Sequence, residues 1–89
     1  MSSAAYLAKK FELRKGGSEC NHPECKKMPG KEVVLIEVDL AKKKKREIGT
    51  IYMCSDHYRD IRRIMSEIKL ASPGKVMEKR TFDIGFVTY

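Results

Sequence analysis

Cys20-Asn21-His22-Pro23-Glu24-Cys25 and Cys54-Ser55-Asp56-His57 hold every cysteine and both histidines of this 89-residue chain. Two such segments, about thirty residues apart, constrain the fold more than any other feature. Thiolate and imidazole donors in two tight local pairs are what a tetrahedral zinc ion requires, each donor about 2.0–2.3 Å from the metal. Cysteines scattered along the chain would not meet that condition. Cys20, Cys25, Cys54 and His57 are the expected set, a Cys3His site around one structural Zn2+. His22 is the reserve ligand. It would replace Cys20, or else sit at the loop tip beside the rigid Pro23 as a surface group. The bland alternative is three buried thiols and two ordinary surface histidines.

A chain of this length buries only a modest core, so one domain over residues 1–89 stapled by a metal is the expected organisation. An odd number of cysteines argues against a disulfide framework and for reduced thiols, hence an intracellular protein. The opening Met1-Ser2-Ser3-Ala4-Ala5 has no long apolar run, so neither a signal peptide nor a membrane partner is expected. The net charge is +7. Three thiolates and one Zn2+ would bring it to about +6. Such basicity favours an anionic partner, DNA or RNA first. The chain has no Gln, a single Asn and many Lys, Glu and Arg. That bias resembles proteins of hyperthermophiles, whose Lys-rich surfaces need have no nucleic-acid role.

Taken in order, residues 4–15 satisfy two patterns. Ala4, Leu7, Ala8 and Phe11 have helical spacing, whereas Leu7, Phe11 and Leu13 alternate; a strand at the Phe11 end is the expectation. Gly16-Gly17-Ser18 closes that element and leads into the metal loop. Pro29-Gly30 is a turn. Glu32–Leu40 is the clearest strand, and Ile48–Met53 a second one, with the basic stretch Ala41–Glu47 between them as a hairpin tip. Gly49 marks a bulge or a close backbone approach. A helix then starts at Ser55 or Asp56 and ends near Ala71, before Ser72-Pro73-Gly74. Its apolar face is Cys54, His57, Tyr58, Ile61, Ile64, Met65 and Ile68. Phe82, Ile84 and Phe86 alternate in a last strand that pairs with the N-terminal segment or with a hairpin edge.

The order metal loop, hairpin, then a helix with two ligands in its first turn resembles the treble-clef zinc fingers over about Cys20–Ala71. The resemblance implies a structural zinc, with Cys20 and Cys25 as the knuckle ligands and Cys54 and His57 as the helix ligands. The loop between Cys20 and Cys25 is longer than the usual knuckle, and no glycine follows the second cysteine. The expected fold class is therefore α+β, a small treble-clef-like zinc-binding domain with flanking N- and C-terminal strands.

Three basic groups support nucleic-acid binding through phosphates. They are Lys26, Lys27 and Lys31 near the metal loop; Lys42, Lys43, Lys44, Lys45 and Arg46 at the hairpin tip; and Arg59, Arg62 and Arg63 on the helix. The alternative is a protein-interaction or adaptor module, with Phe82, Ile84, Phe86, Val87 and Tyr89 forming a homodimer seam or meeting a partner strand. An enzyme is not expected. Val33–Met53 offers no general-base histidine, the four metal ligands leave no open position, and no Cys-x-x-Cys pair is present.

Overall fold

An unbroken run of β-branched and apolar residues, Val33 to Ile36 and then Val38, makes a strand with both faces covered. The computed structural model describes residues 3–71 and 73–84. In it that run is β1 (Lys31–Asp39), the middle strand of a three-stranded antiparallel sheet. β2 (Lys44–Met53) pairs along one side, from Met53 opposite Lys31 to Lys44 opposite Asp39. β3 (Lys75–Asp83) pairs along the other, from Asp83 opposite Lys31 to Lys75 opposite Asp39. The hairpin tip is shorter than the basic stretch implies, because Lys44, Lys45 and Arg46 already belong to β2. Asp39 Oδ1 accepts the amides of Ala41 (3.0 Å) and Lys42 (3.2 Å) and sets the turn.

Gly49 meets both parts of its expectation. The register slips between Leu35 and Ile36, which leaves Ile48 as the extra residue of a bulge. A Cβ at Gly49 would lie 3.2 Å from Leu7 Cδ1, so the glycine lets an N-terminal helix press onto β2.

That helix is α1 (Ser3–Lys10), followed by a 3-10 turn at Leu13–Lys15. It replaces the N-terminal strand expected from alternation. The helical pattern wins because Ala4, Ala5, Ala8, Lys9 and Lys10 all favour helix. Its buried side is shifted, however, running through Ser3 and Leu7 and on to Phe11, with Ala4 and Ala8 in solvent. After β2 the helix divides into α2 (Ser55–Tyr58) and α3 (Ile61–Ala71). Between them the Asp60 amide donates to His57 O at 3.0 Å, a tighter three-residue step. The expected apolar face holds through this break: Ile61, Ile64 and Ile68 are buried, with Tyr58 and Met65 packed against them.

α1 and α3 pack on each other and on one face of the sheet, α1 against β2 and α3 against β3. The core between the layers contains Leu7, Val33, Leu35, Ile51, Met53 and Met77 as well as the three isoleucines. No helix among the described residues is long and apolar enough to cross a membrane. Phe86, Val87 and Tyr89 of the expected last strand lie outside the described residues.

Among the described residues no helix packs on the opposite face of the sheet. Even so, Val34 is only 8% and Ile36 only 4% exposed there. Side chains from the two outer strands arch over them. Lys45 on β2 reaches Glu78 on β3 (3.2 Å), and Arg80 on β3 reaches Glu47 on β2 (4.0 Å). Both pairs cross β1 and flank Ile36 in the sheet register. The long aliphatic stems cover the central strand while the charged ends stay in water.

Glu37 is the one buried charge on β1. Ser3 Oγ donates to its Oε2 (2.7 Å), and Arg46 Nη2 (3.0 Å) and Lys75 Nζ (3.3 Å) donate to Oε1. The carboxylate thus ties α1, β2 and β3 to the central strand. The Ser3 hydrogen bond, then the Lys75 and Arg46 charges, outweigh burial and hold Glu37 below its ordinary value of 4.5. A depressed carboxylate stabilises the fold above its unfolded pKa, and that stability is lost as pH falls through the folded value. The stability gap between wild type and Glu37→Gln, from urea melts at successive pH values, is therefore expected to narrow below pH 4.5. A gap independent of pH would contradict this role for the carboxylate.

Candidate metal centre

β2 runs straight into α2, and Cys54 sits at the junction with extended backbone (φ −71°, ψ 163°) as the residue before the helix. His57 follows one turn later. Cys20 and Cys25 belong to the irregular segment that leads into β1. The fold brings these four residues together, with one donor atom from each and all four within 4.8 Å of one another. Cys20 Sγ lies 3.4 Å and Cys54 Sγ 3.3 Å from His57 Nδ1. Donors about 2.0–2.3 Å from a shared tetrahedral ion stand roughly 3.5–3.8 Å apart, so the spacing fits one metal ion. All three cysteines are buried free thiols.

The local electrostatics differ from donor to donor. Burial pushes the Cys20 thiol up to about 11, although the amides of Cys54 and His22 pull the other way. Cys54 is buried too, but the amides of His57 and Asp56 and the thiols of Cys20 and Cys25 outweigh this and hold it below its usual value. Burial, then the nearby His22 and Lys27, holds His57 below its ordinary value, which favours the neutral imidazole that coordinates metals. As thiolates, sulfurs this close would repel one another unless a cation lay among them.

His22 stands beside the cluster. Its ring stacks flat on His57, with centroids 3.9 Å apart and planes 4° from parallel. The Pro23 carbonyl accepts from its Nδ1 at 3.0 Å, which fixes the tautomer. The ring covers one face of His57.

Two residues that shape the site carry no signal of their own in the sequence. Lys15 extends under the loop and donates to three carbonyls, Cys20 O (3.1 Å), His22 O (3.1 Å) and Cys25 O (2.7 Å). Glu12 meets the same ammonium at 2.8 Å. The side chain is only 12% exposed, in a chain whose other lysines mostly face solvent. Asn21, fully buried, binds the loop to its surroundings. Its amide and Oδ1 pair with Tyr52 O (2.7 Å) and Tyr52 N (2.8 Å). Its Nδ2 donates to Gly16 O (3.0 Å) and Glu19 O (3.2 Å). The only available clues were that Asn21 is the sole asparagine and that Lys15 precedes a double glycine.

The basic residues divide into those already paired and those not. Lys27 pairs with Asp56 (2.5 Å), Lys31 with Asp83, Lys45 with Glu78, Arg46 with Glu37 and Arg63 with Asp60 (3.5 Å). Lys26, Lys42, Lys43, Lys44, Arg59 and Arg62 are exposed and make no ion pair among the described residues. The three groups do not form one patch. Lys26 flanks the metal end of the sheet and Arg59 and Arg62 follow the ligand turn, whereas Lys42–Arg46 lie at the far end of β1, about 27 Å along the strand. Lys75 joins that far group beside Glu37, a contribution the sequence did not reveal.

Replacing Lys15 with Met is expected to speed metal release to a chelator, followed by a colorimetric dye, while Lys26→Met leaves the rate unchanged. Equal rates for the two variants would remove Lys15 from the site. Asn21→Ala is expected to lower stability by roughly 1–3 kcal/mol in a denaturant melt, because the part-buried Tyr52 N loses its acceptor. Comparison with protein-family models, with curated proteins and with solved structures finds no match to this chain.

Proposed function

We propose that this chain is a small structural-zinc module that binds the phosphate backbone of nucleic acid, DNA or RNA, chiefly through the hairpin tip. The observation that carries the zinc half is the convergence of Cys20, Cys25, Cys54 and His57 donors within 4.8 Å. Three sulfurs and one imidazole nitrogen are the donor set zinc prefers, and four protein ligands make a closed, structural site. The metal supplies a cross-link between the loop, the end of β2 and the first helical turn. The chain order of loop, hairpin and ligand-bearing helix supports a treble-clef-like frame, and no catalytic role is proposed for it.

Support for the nucleic-acid half is the charge at the tip. Lys42, Lys43 and Lys44 have no carboxylate partner among the described residues, and Lys75 and Arg46 lie beside them. Unpaired cations on a protruding turn contact phosphates without reading sequence. Arg59 and Arg62 form a second set at the other end of the molecule.

Metal analysis of the freshly purified protein is expected to find one zinc per chain, and Cys54→Ser is expected to lose the metal and to unfold at the cysteine end of the sheet. A metal-free protein that is fully folded would overturn the zinc reading. Binding to a random duplex, followed by fluorescence anisotropy, should weaken linearly on a log–log salt plot. Changing Lys42, Lys43 and Lys44 together to Ala should lower that slope by roughly one unit for each phosphate the tip no longer neutralises. Absence of binding at low salt, with zinc bound, would overturn the nucleic-acid reading and leave the metal site standing.

A further inference from the structure

β3 is an edge strand: β1 occupies one side of it, and its other side has no strand partner among the described residues. Its sequence is Lys75-Val76-Met77-Glu78-Lys79-Arg80-Thr81-Phe82-Asp83. An antiparallel pair of identical edges is related by a two-fold axis normal to the sheet. Such an axis keeps each face on its own side, so residues opposed across the seam share a face and differ by an even number of positions. With Lys79 on the axis, Glu78 faces the partner's Arg80, Val76 faces the partner's Phe82 and Lys75 faces the partner's Asp83. Both acidic residues of the strand meet basic ones, and its exposed aromatic meets an aliphatic. A centre at Glu78 or Arg80 instead opposes that charge to its own copy and breaks the other matches. We propose that β3 is a self-complementary edge through which two copies of this chain pair, joining their sheets into one of six strands.

The in-chain contacts extend into this seam. On the face away from the helices, Lys45 pairs with Glu78 and Arg80 with Glu47. Pairing across the axis joins them into a row of alternating sign: Lys45, Glu78, the partner's Arg80, the partner's Glu47. Phe82 is 47% exposed, and Val76 of the second copy would cover it. The one like-charged pair is Lys79 with its copy. Its ammonium is drawn back over its own chain, where it donates to Tyr58 Oη (3.2 Å) and lies 5.0 Å from the centre of that ring. Edge strands are usually protected by charged side chains that discourage pairing. Here the charges match their own mirror order. The pairing does not depend on the nucleic-acid reading.

Light scattering on the zinc-loaded full chain, free of nucleic acid and over a range of micromolar concentrations, is expected to show a concentration-dependent rise towards twice the 10.2 kDa of one chain. Glu78→Arg alone opposes arginine to arginine and Arg80→Glu alone opposes glutamate to glutamate, so each single variant is expected to remain monomeric. The double variant restores opposite charges across the axis and is expected to dimerise again. Both positions are exposed, and circular dichroism checks that each variant is folded. A wild type that is monomeric at every concentration overturns the proposal. So do single variants that still dimerise, or a folded double variant that does not.

Discussion

The loop from Cys20 to Cys25 has no ladder of its own, so its backbone polar groups have to find partners elsewhere. The structure meets this with one ammonium and one amide. Lys15 gathers three carbonyls of the loop. Asn21 continues the edge of β2 by exchanging hydrogen bonds with both backbone groups of Tyr52. The Cys20 amide donates to Lys27 O (2.8 Å), and the Gly30 amide to Met53 O (2.9 Å), which closes the loop against the sheet. Held this way, the loop brings two sulfurs up to the Cys54 sulfur and the His57 ring. The four residues that could hold a metal are the visible part of a site whose shape is set from behind.

The sheet faces a different constraint. A chain this short has enough apolar residues for one core, and the helices take one face of the sheet for it. The other face is covered by the stems of charged residues on the two outer strands. This explains how β1 can be apolar on both sides with no second layer among the described residues. Glu37 answers to the same shortage of material. A carboxylate on the core side of β1 would be costly alone, but three donors from three elements converge on it. It fixes how α1, β2 and β3 meet at the end of the sheet remote from the cysteines.

Features that rest on local chemistry were legible in the sequence. The ligand set follows from residue type and spacing, the hairpin from its β-branched run, and the buried helix face from the spacing of Ile61, Ile64 and Ile68. Gly49 announced its bulge. Features that rest on tertiary context were hidden. Residues 4–15 carry two competing periodicities, and the helix was decided by a run of good helix formers together with the space Gly49 leaves for Leu7. Lys15 looks like any of the other lysines until the fold places three carbonyls around it. The placement of the three basic groups was hidden because sequence distance does not say which end of a strand a residue occupies. The break at Arg59–Asp60 has no proline or glycine to signal it.

β1 is held at two points by unlike means, a cluster of soft donors near Lys31 and a buried carboxylate near Asp39. Between them, among the described residues, it is held by its backbone ladder and apolar contacts. Stripping one anchor therefore does not require the other to let go. Amide protons near Cys20, Val33 and Ile51 would exchange quickly in a chelated sample, while those around Glu37, Met77 and Arg46 kept a slower clock. The molecule would come apart from one end, as a zip does.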